Sequence, residues 1–220
     1  GTVTLSGENT YTGTTTISAG TLALGADNVL SDETEVSVTG IFDLADNSDT
    51  INVLSGAGSV LLGSGTLSVG GNNGSGSFSG VIAESGGLTK LGSGTVTLSG
   101  ENTYTGTTTI SNGTLTYGGS NILSTGAVTI NGGTLNIDSY TDTVGAVTLE
   151  SGSITGTGTL TGSSYAVKSG AIGAILGGSS VGLTKSTGGT VTLSGENTYT
   201  GTTTISNGTL TYGGSNILST

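Results

Sequence analysis

The sequence predicts an all-β protein, a parallel β-helix (β-solenoid) with coils of about 19–20 residues and essentially no α-helix. Three observations lead there. The chain holds long letter-for-letter internal copies, and inside them runs a finer echo of about one coil. Apolar residues alternate over short runs that stop at Gly, Asn or Ser-Gly.

The long copies fix the organisation. Gly94 to Thr125 reads GTVTLSGENTYTGTTTISNGTLTYGGSNILST, and Gly189 to Thr220 repeats it 95 residues further on. Gly1 to Ser18 is identical to Gly94 to Ser111 at an offset of 93. Beyond Ser18 the first copy drifts, with Ala19 in place of Asn112 and Leu24 in place of Tyr117. GLTK stands before the second and third copies, at Gly87–Lys90 and Gly182–Lys185, so two of the three lysines share one repeated position. The expected domain is one continuous segment, 1–220, with copies starting at 1, 94 and 189. Its parent is expected to be longer, with GLTK or a close variant before Gly1 and a GAVTINGG-like coil after Thr220.

The finer echo sets the coil. Marker glycines fall at 113, 133, 152 and 170, and again at 20 and 40, so the spacings run 20, 19, 18 and 20. Five coils within the 95-residue offset average 19 residues. Ile51 to Lys90 keeps the texture without an obvious register. The runs V-T-L, T-I-S, T-L-T-Y and T-L-N-I read as short strands whose inward residues include Ile110, Leu115, Val128, Ile130 and Leu135. A hairpin sandwich would not repeat its sequence once per coil. Stacked coils do, because equivalent positions lie about 4.8 Å apart along one axis. Around eleven coils then make a rod of roughly 50 Å.

Composition fits a thin, long core. Of 220 residues 44 are Gly, with no Pro, Cys, Met, Trp, His or Arg, and hydrophobic residues reach only 32%. Three lysines face fourteen acids, a net charge of −11 that excludes nucleic acid as a partner, since phosphate binding needs clustered Lys and Arg. Without Cys or His there is no thiol chemistry and no usual general base, the acids are scattered, and no Arg can bind an acidic sugar. No enzyme and no cofactor are expected. GSGTLSVGGNNG lacks the G-K-[ST] ending of a phosphate loop.

The run GLTKLGSGTVTLSGENTYTGTTTISNGTL, Gly87 to Leu115, closely resembles the autotransporter-associated β-strand repeat, also called the passenger-associated transport repeat. GTLSVGGNNGSGSFSGVIAESG, Gly65 to Gly86, looks like its usual lead-in. One departure is visible: Thr14, Thr107 and Thr202 follow N-T-Y-T-G where the family often has a second Gly. The resemblance implies a right-handed parallel β-helix in a bacterial passenger region, at the cell surface, outer-membrane-associated or secreted. It implies adhesion, aggregation or biofilm roles, with membrane contact only through a barrel or anchor outside this segment. The expected role is a stalk, spacer or filament-forming element, with self-association end to end or side by side. The alternative is a carbohydrate-binding module that meets host or matrix glycans.

Candidate residues are few. Tyr11, Tyr104 and Tyr199 of the N-T-Y-T-G corner are the candidate glycan contacts, as stacking platforms on an exposed loop. The commoner use of such a corner is Asn bonded to backbone and Tyr packed over a coil edge. Asp43, Asp46 and Asp49, with Asp32, Glu33 and Glu35, form the densest acidic run. They lack the G-G-x-G-x-D calcium pattern, so they read as a solvated loop and no metal is expected. Thr14-Thr15-Thr16 and its copies suit exposed strand faces, and the functional reading of such a row is ordered water.

Overall fold

The structure, a computed structural model, describes residues 1–215, 217 and 218; the last stretch of the segment 1–220 thus lies partly outside the described residues. The described residues form twenty-six short strands and no helix. Strands pair in parallel, each with the strand about one coil away, which makes a three-sided β-solenoid of about 11 turns.

Each full coil runs through three sides. The first side stacks Thr2–Leu5, Thr21–Leu24, Ile41–Asp43, Ser59–Leu61 and Val81–Ala83. It continues as irregular corners at Asn102 and Ile122, then as Thr141–Thr143, Thr159–Thr161 and Ile175–Gly177. The second side runs from Asp49–Ile51 through Thr66–Val69, Gly87–Lys90 and Thr108–Ile110 to Thr203–Ile205. The third runs from Thr15–Ile17 through Thr95–Leu98 and Thr114–Tyr117 to Thr209–Tyr212. Val128–Asn136 and Ala146–Thr155 each span the second and third sides in one strand.

Alternation decides what points inward. On the third side Val96, Leu115, Leu135, Ile154, Ile172 and Leu193 lie in register and are buried. The five residues expected inside, Ile110, Leu115, Val128, Ile130 and Leu135, are all within 1% of complete burial. Burying each is worth roughly 1.5–3 kcal/mol, and only a neighbouring coil can supply the cover. Outward neighbours such as Thr89, Thr109, Thr129 and Thr148 form a threonine row along the second side. Thr108 is not in it: its side is turned inward and buried.

The corners need glycine. Gly113 holds φ at +61°, and a Cβ there would meet the Gly94 carbonyl oxygen at 2.3 Å.

Identical sequence does not mean an identical side. In the second and third copies TVTL lies on the third side and TTI on the second. In the first copy TVTL lies on the first side and TTI on the third, so Thr15–Ile17 heads the stack that reaches Thr95–Leu98. The cause is the number of sides each repeat unit passes through. From Thr95–Leu98 to Thr190–Leu193 the chain makes five full turns, whereas from Thr2–Leu5 it makes four turns to Val81–Ala83 and then only two further sides to Thr95–Leu98. The 95-residue unit therefore returns to its starting side, and the 93-residue unit falls one side short.

Candidate functional site

The recurring feature is the E-N-T-Y-T corner with the polar groups stacked around it. Asn102 is 5% exposed and bridges three coils. Its Oδ1 accepts from Ile82 N at 2.8 Å, while Nδ2 donates to Gly100 O at 3.1 Å and Ile122 O at 2.7 Å. Asn197 repeats this with Leu176, Gly195 and Ile217. Asn9 keeps the donated half, to Gly7 O and Val29 O.

A buried carboxylate holds the next corner from the far side. Asp49, 2% exposed, accepts from Val29 N and Leu30 N at 3.0 Å each and from Thr50 N at 2.8 Å. Asp142, 3% exposed, accepts from Leu123 N and Thr143 N at 2.8 Å. Burial pushes both pKa values up, against the lowering effect of these backbone bonds. This corrects the reading of Asp49 as part of a solvated acidic loop: D-T-I puts Asp49 in phase with Ile51, on the inward face. Its neighbours Asp32, Glu33, Glu35, Asp43 and Asp46 are at least partly exposed, and no group of acids among the described residues is placed to hold a metal ion.

Tyr104 and Tyr199 are buried, at 1% and 3% exposure, and Tyr11 is 42% exposed. All three hydroxyls bond the threonine four residues on, Thr15, Thr108 and Thr203. A coil on the preceding side covers the two buried rings, as at Tyr199, whose ring centroid lies 5.8 Å from that of Tyr165. Such rings have no free face for a sugar to stack on; Tyr11 lies in the first coil described, where no earlier coil of the segment packs on it. Tyr117 is buried beside Asp142, and burial and the Asp142 charge push its pKa well up.

The lysines of GLTK are the groups that sequence reasoning missed. Lys90 and Lys185 are 1% and 0% exposed. Each occupies an apolar column, Lys90 between Val69 and Ile110, Lys185 between Val167 and Ile205. Each ammonium reaches out to corner carbonyls. Lys90 Nζ donates to Leu91 O, to Gly92 O at 2.9 Å and to Asn112 O at 3.4 Å; Lys185 Nζ donates to Thr187 O and to Asn207 O at 3.3 Å. Burial lowers the pKa of Lys90. The ion pair among the described residues belongs to the third lysine, Lys168, with Glu150 at 2.6 Å. The signal was available: L-T-K places Lys in phase with an inward Leu.

About eleven turns of parallel strand, buried apolar columns inside and polar side chains clamping successive corners define a repeat-built β-solenoid. Residues 1–24, 88–116 and 183–211 match the passenger-associated transport repeat, so the chain carries three copies of that repeat, as its sequence implied. The chain is also 42% identical over 122 residues to the adhesin BmaC autotransporter of Brucella suis biovar 1 (strain 1330). That match covers 49% of this chain and 3% of the relative, so the chain spans a small part of its curated relative. No solved structure matches it.

Proposed function

We propose that this segment is an extracellular structural repeat region of a bacterial autotransporter-like surface protein, acting as a spacer that carries adhesive parts away from the cell. The observation that carries the reading is the continuity of the stack. Hydrogen-bonded sides and buried columns run from coil to coil, and asparagine, aspartate and lysine side chains tie neighbouring coils at repeated positions. Such a stack transmits load along its axis and gains length by adding coils. The surface charge supports it: two of the three cations are turned inward, leaving an acidic exterior that opposes collapse. The relative's name, an adhesin, supports a surface role.

The test is deletion and duplication of residues 94–188 in the parent protein on live cells. The distance of a distal epitope from the membrane should fall or rise by about 24 Å, five coils at about 4.8 Å each. Unchanged epitope height and unchanged adhesion in both variants would defeat the spacer reading.

A further inference from the structure

Four Asn-Gly dipeptides occur in the chain, at Asn73, Asn112, Asn131 and Asn207. Two of them, Asn112–Gly113 and Asn207–Gly208, sit at the corners beneath the buried lysines and have a geometry the others lack. Gly113 N donates to the side-chain Oδ1 of Asn112 at 2.8 Å, and Gly208 N does the same to Asn207 at 2.8 Å. That bond folds each side-chain amide back onto the backbone nitrogen that follows it. The peptide carbonyl of the same unit, Asn112 O or Asn207 O, accepts from Lys90 Nζ or Lys185 Nζ. Both asparagines are exposed to water.

We infer that Asn112–Gly113 and Asn207–Gly208 are lysine-activated sites of spontaneous deamidation. The Gly113 nitrogen loses its proton to hydroxide and attacks Asn112 Cγ, forming a new N–C bond. The Cγ–Nδ2 bond then breaks, ammonia leaves with a proton from water, and a five-membered imide remains. Water opens the imide at either carbonyl to give aspartate or isoaspartate. The net change consumes one water and releases one ammonia, with no oxidant or reductant. Two features accelerate it here. The nucleophile and its target are held adjacent, which removes the orientational cost. The ammonium on the shared peptide oxygen withdraws charge and stabilises the deprotonated nitrogen.

The other two dipeptides serve as internal controls. Gly74 N is committed to Asn52 Oδ1 at 2.7 Å, and Asn73 Oδ1 is held by Ser93 N at 2.9 Å. Asn131–Gly132 lies at the irregularity within Val128–Asn136, with Asn131 paired to Ser151 and Gly132 outside the register. The first copy has Ala19–Gly20 at the corresponding corner and no amide to lose. The product places a carboxylate beside a buried ammonium that meets no carboxylate among the described residues, and the isoaspartyl form adds a methylene to the backbone at a corner where a Cβ on Gly113 would already meet Gly94 O at 2.3 Å.

The experiment incubates the whole folded chain at mildly alkaline pH and follows all four sites by peptide mapping with isoaspartate detection. Asn112 and Asn207 should convert at least about threefold faster than Asn73 and Asn131, an advantage that orientation confers only in the folded state, so it should vanish in denaturant. Lys90→Met should slow Asn112 by about threefold or more while Asn207 in the same chain keeps its rate, since only one electrostatic contact is removed. Equal rates at the four sites of the folded chain overturn the inference. So does an Asn112 rate indifferent to Lys90→Met when the Asn207 rate is normal. Should Lys90→Met not fold, the folded-against-unfolded comparison of the natural chain decides.

Discussion

Asn9 and Asp49 grip one residue between them: Val29 gives its carbonyl to Asn9 Nδ2 at 3.1 Å and its N–H to Asp49 Oδ2 at 3.0 Å. The three residues belong to successive coils, about 20 residues apart. Asn102, Ile122–Leu123 and Asp142 repeat the arrangement. An irregular corner has lost its sheet partners there, and buried side chains take over the backbone groups that a ladder would otherwise satisfy.

The asparagine clamp is open to a graded test. Asn102→Ala strips a partner from Ile82 N, Gly100 O and Ile122 O inside the solenoid, and should cost roughly 2–4 kcal/mol, since each buried group left unsatisfied costs about 1–3 kcal/mol. Asn9→Ala removes only two donated bonds at a half-exposed site and should cost about 1 kcal/mol or less. Urea unfolding of the two variants checks the order. A larger loss for Asn9→Ala would contradict the bridging role.

The aspartates give the chain an unusual acid response. Burial raises the folded-state pKa of Asp49 and Asp142 above the ordinary 3.8, so the folded chain binds protons more tightly than the unfolded one. Their contribution to stability therefore rises as pH falls from neutral toward 3.8, and is complete below it. The melting temperature should climb through that window. In the double variant Asp49→Asn and Asp142→Asn the slope should flatten; a slope equal to that of the natural chain removes these two groups as its source.

Lys90 separates packing from charge. Lys90→Met keeps a long side chain in the column but leaves the carbonyls of Leu91, Gly92 and Asn112 without their donor, a cost of about 1–3 kcal/mol. Lys90→Ala adds a cavity and should cost more, in the range of about 2–5 kcal/mol seen for large-to-alanine changes in cores. Because burial lowers the Lys90 pKa, its contribution to stability improves as pH rises toward the ordinary 10.5, the reverse of the aspartate limb. Denaturant midpoints for the two variants at neutral and alkaline pH measure both effects.

The fold was legible because its signals are local and repeated. V-T-L alternation shows which residues face in, and glycines such as Gly113 mark corners that need positive φ. The clamps were harder to read, because Asp49 and Lys90 obey the same alternation as Ile51 and Leu88 yet carry charges that ordinarily stay in water. Phase outweighed residue type at both. The burial of Tyr104 and exposure of Tyr11 were out of reach altogether, since both occur in the same eighteen-residue string; Tyr104 lies inside the stack and Tyr11 in the first coil described.

The tyrosines follow that difference. Tyr104→Ala and Tyr199→Ala should each cost about 3–5 kcal/mol, the usual loss for a buried aromatic. In the segment 1–220, where Tyr11 lies in the first coil, Tyr11→Ala should stay within about 1 kcal/mol, as exposed substitutions do. Paired with a glycan array, the three variants separate a binding role from a structural one. Binding that disappears in Tyr11→Ala with stability intact would revive the glycan reading; array signals that track only the loss of fold would end it.

The turn of the first copy by one side has a distance signature. Thr16 and Thr97 stand four coils apart on one side, linked through Ser37, Ser55 and Ser77. Spin labels at these positions should lie about 19 Å apart along the axis, at about 4.8 Å per coil. Thr109 and Thr204 stand five coils apart on the second side, and should give about 24 Å. Thr16 is the sequence equivalent of Thr109, so if copies kept their sides, Thr16 would stand in line with Thr109, and Thr97 would sit around the corner on another side. Pulsed dipolar spectroscopy on the Thr16/Thr97 and Thr16/Thr109 pairs distinguishes the two arrangements. The first pair must be the closer one, with the narrower distribution, for the 93-residue unit to fall one side short while the 95-residue unit returns to its side.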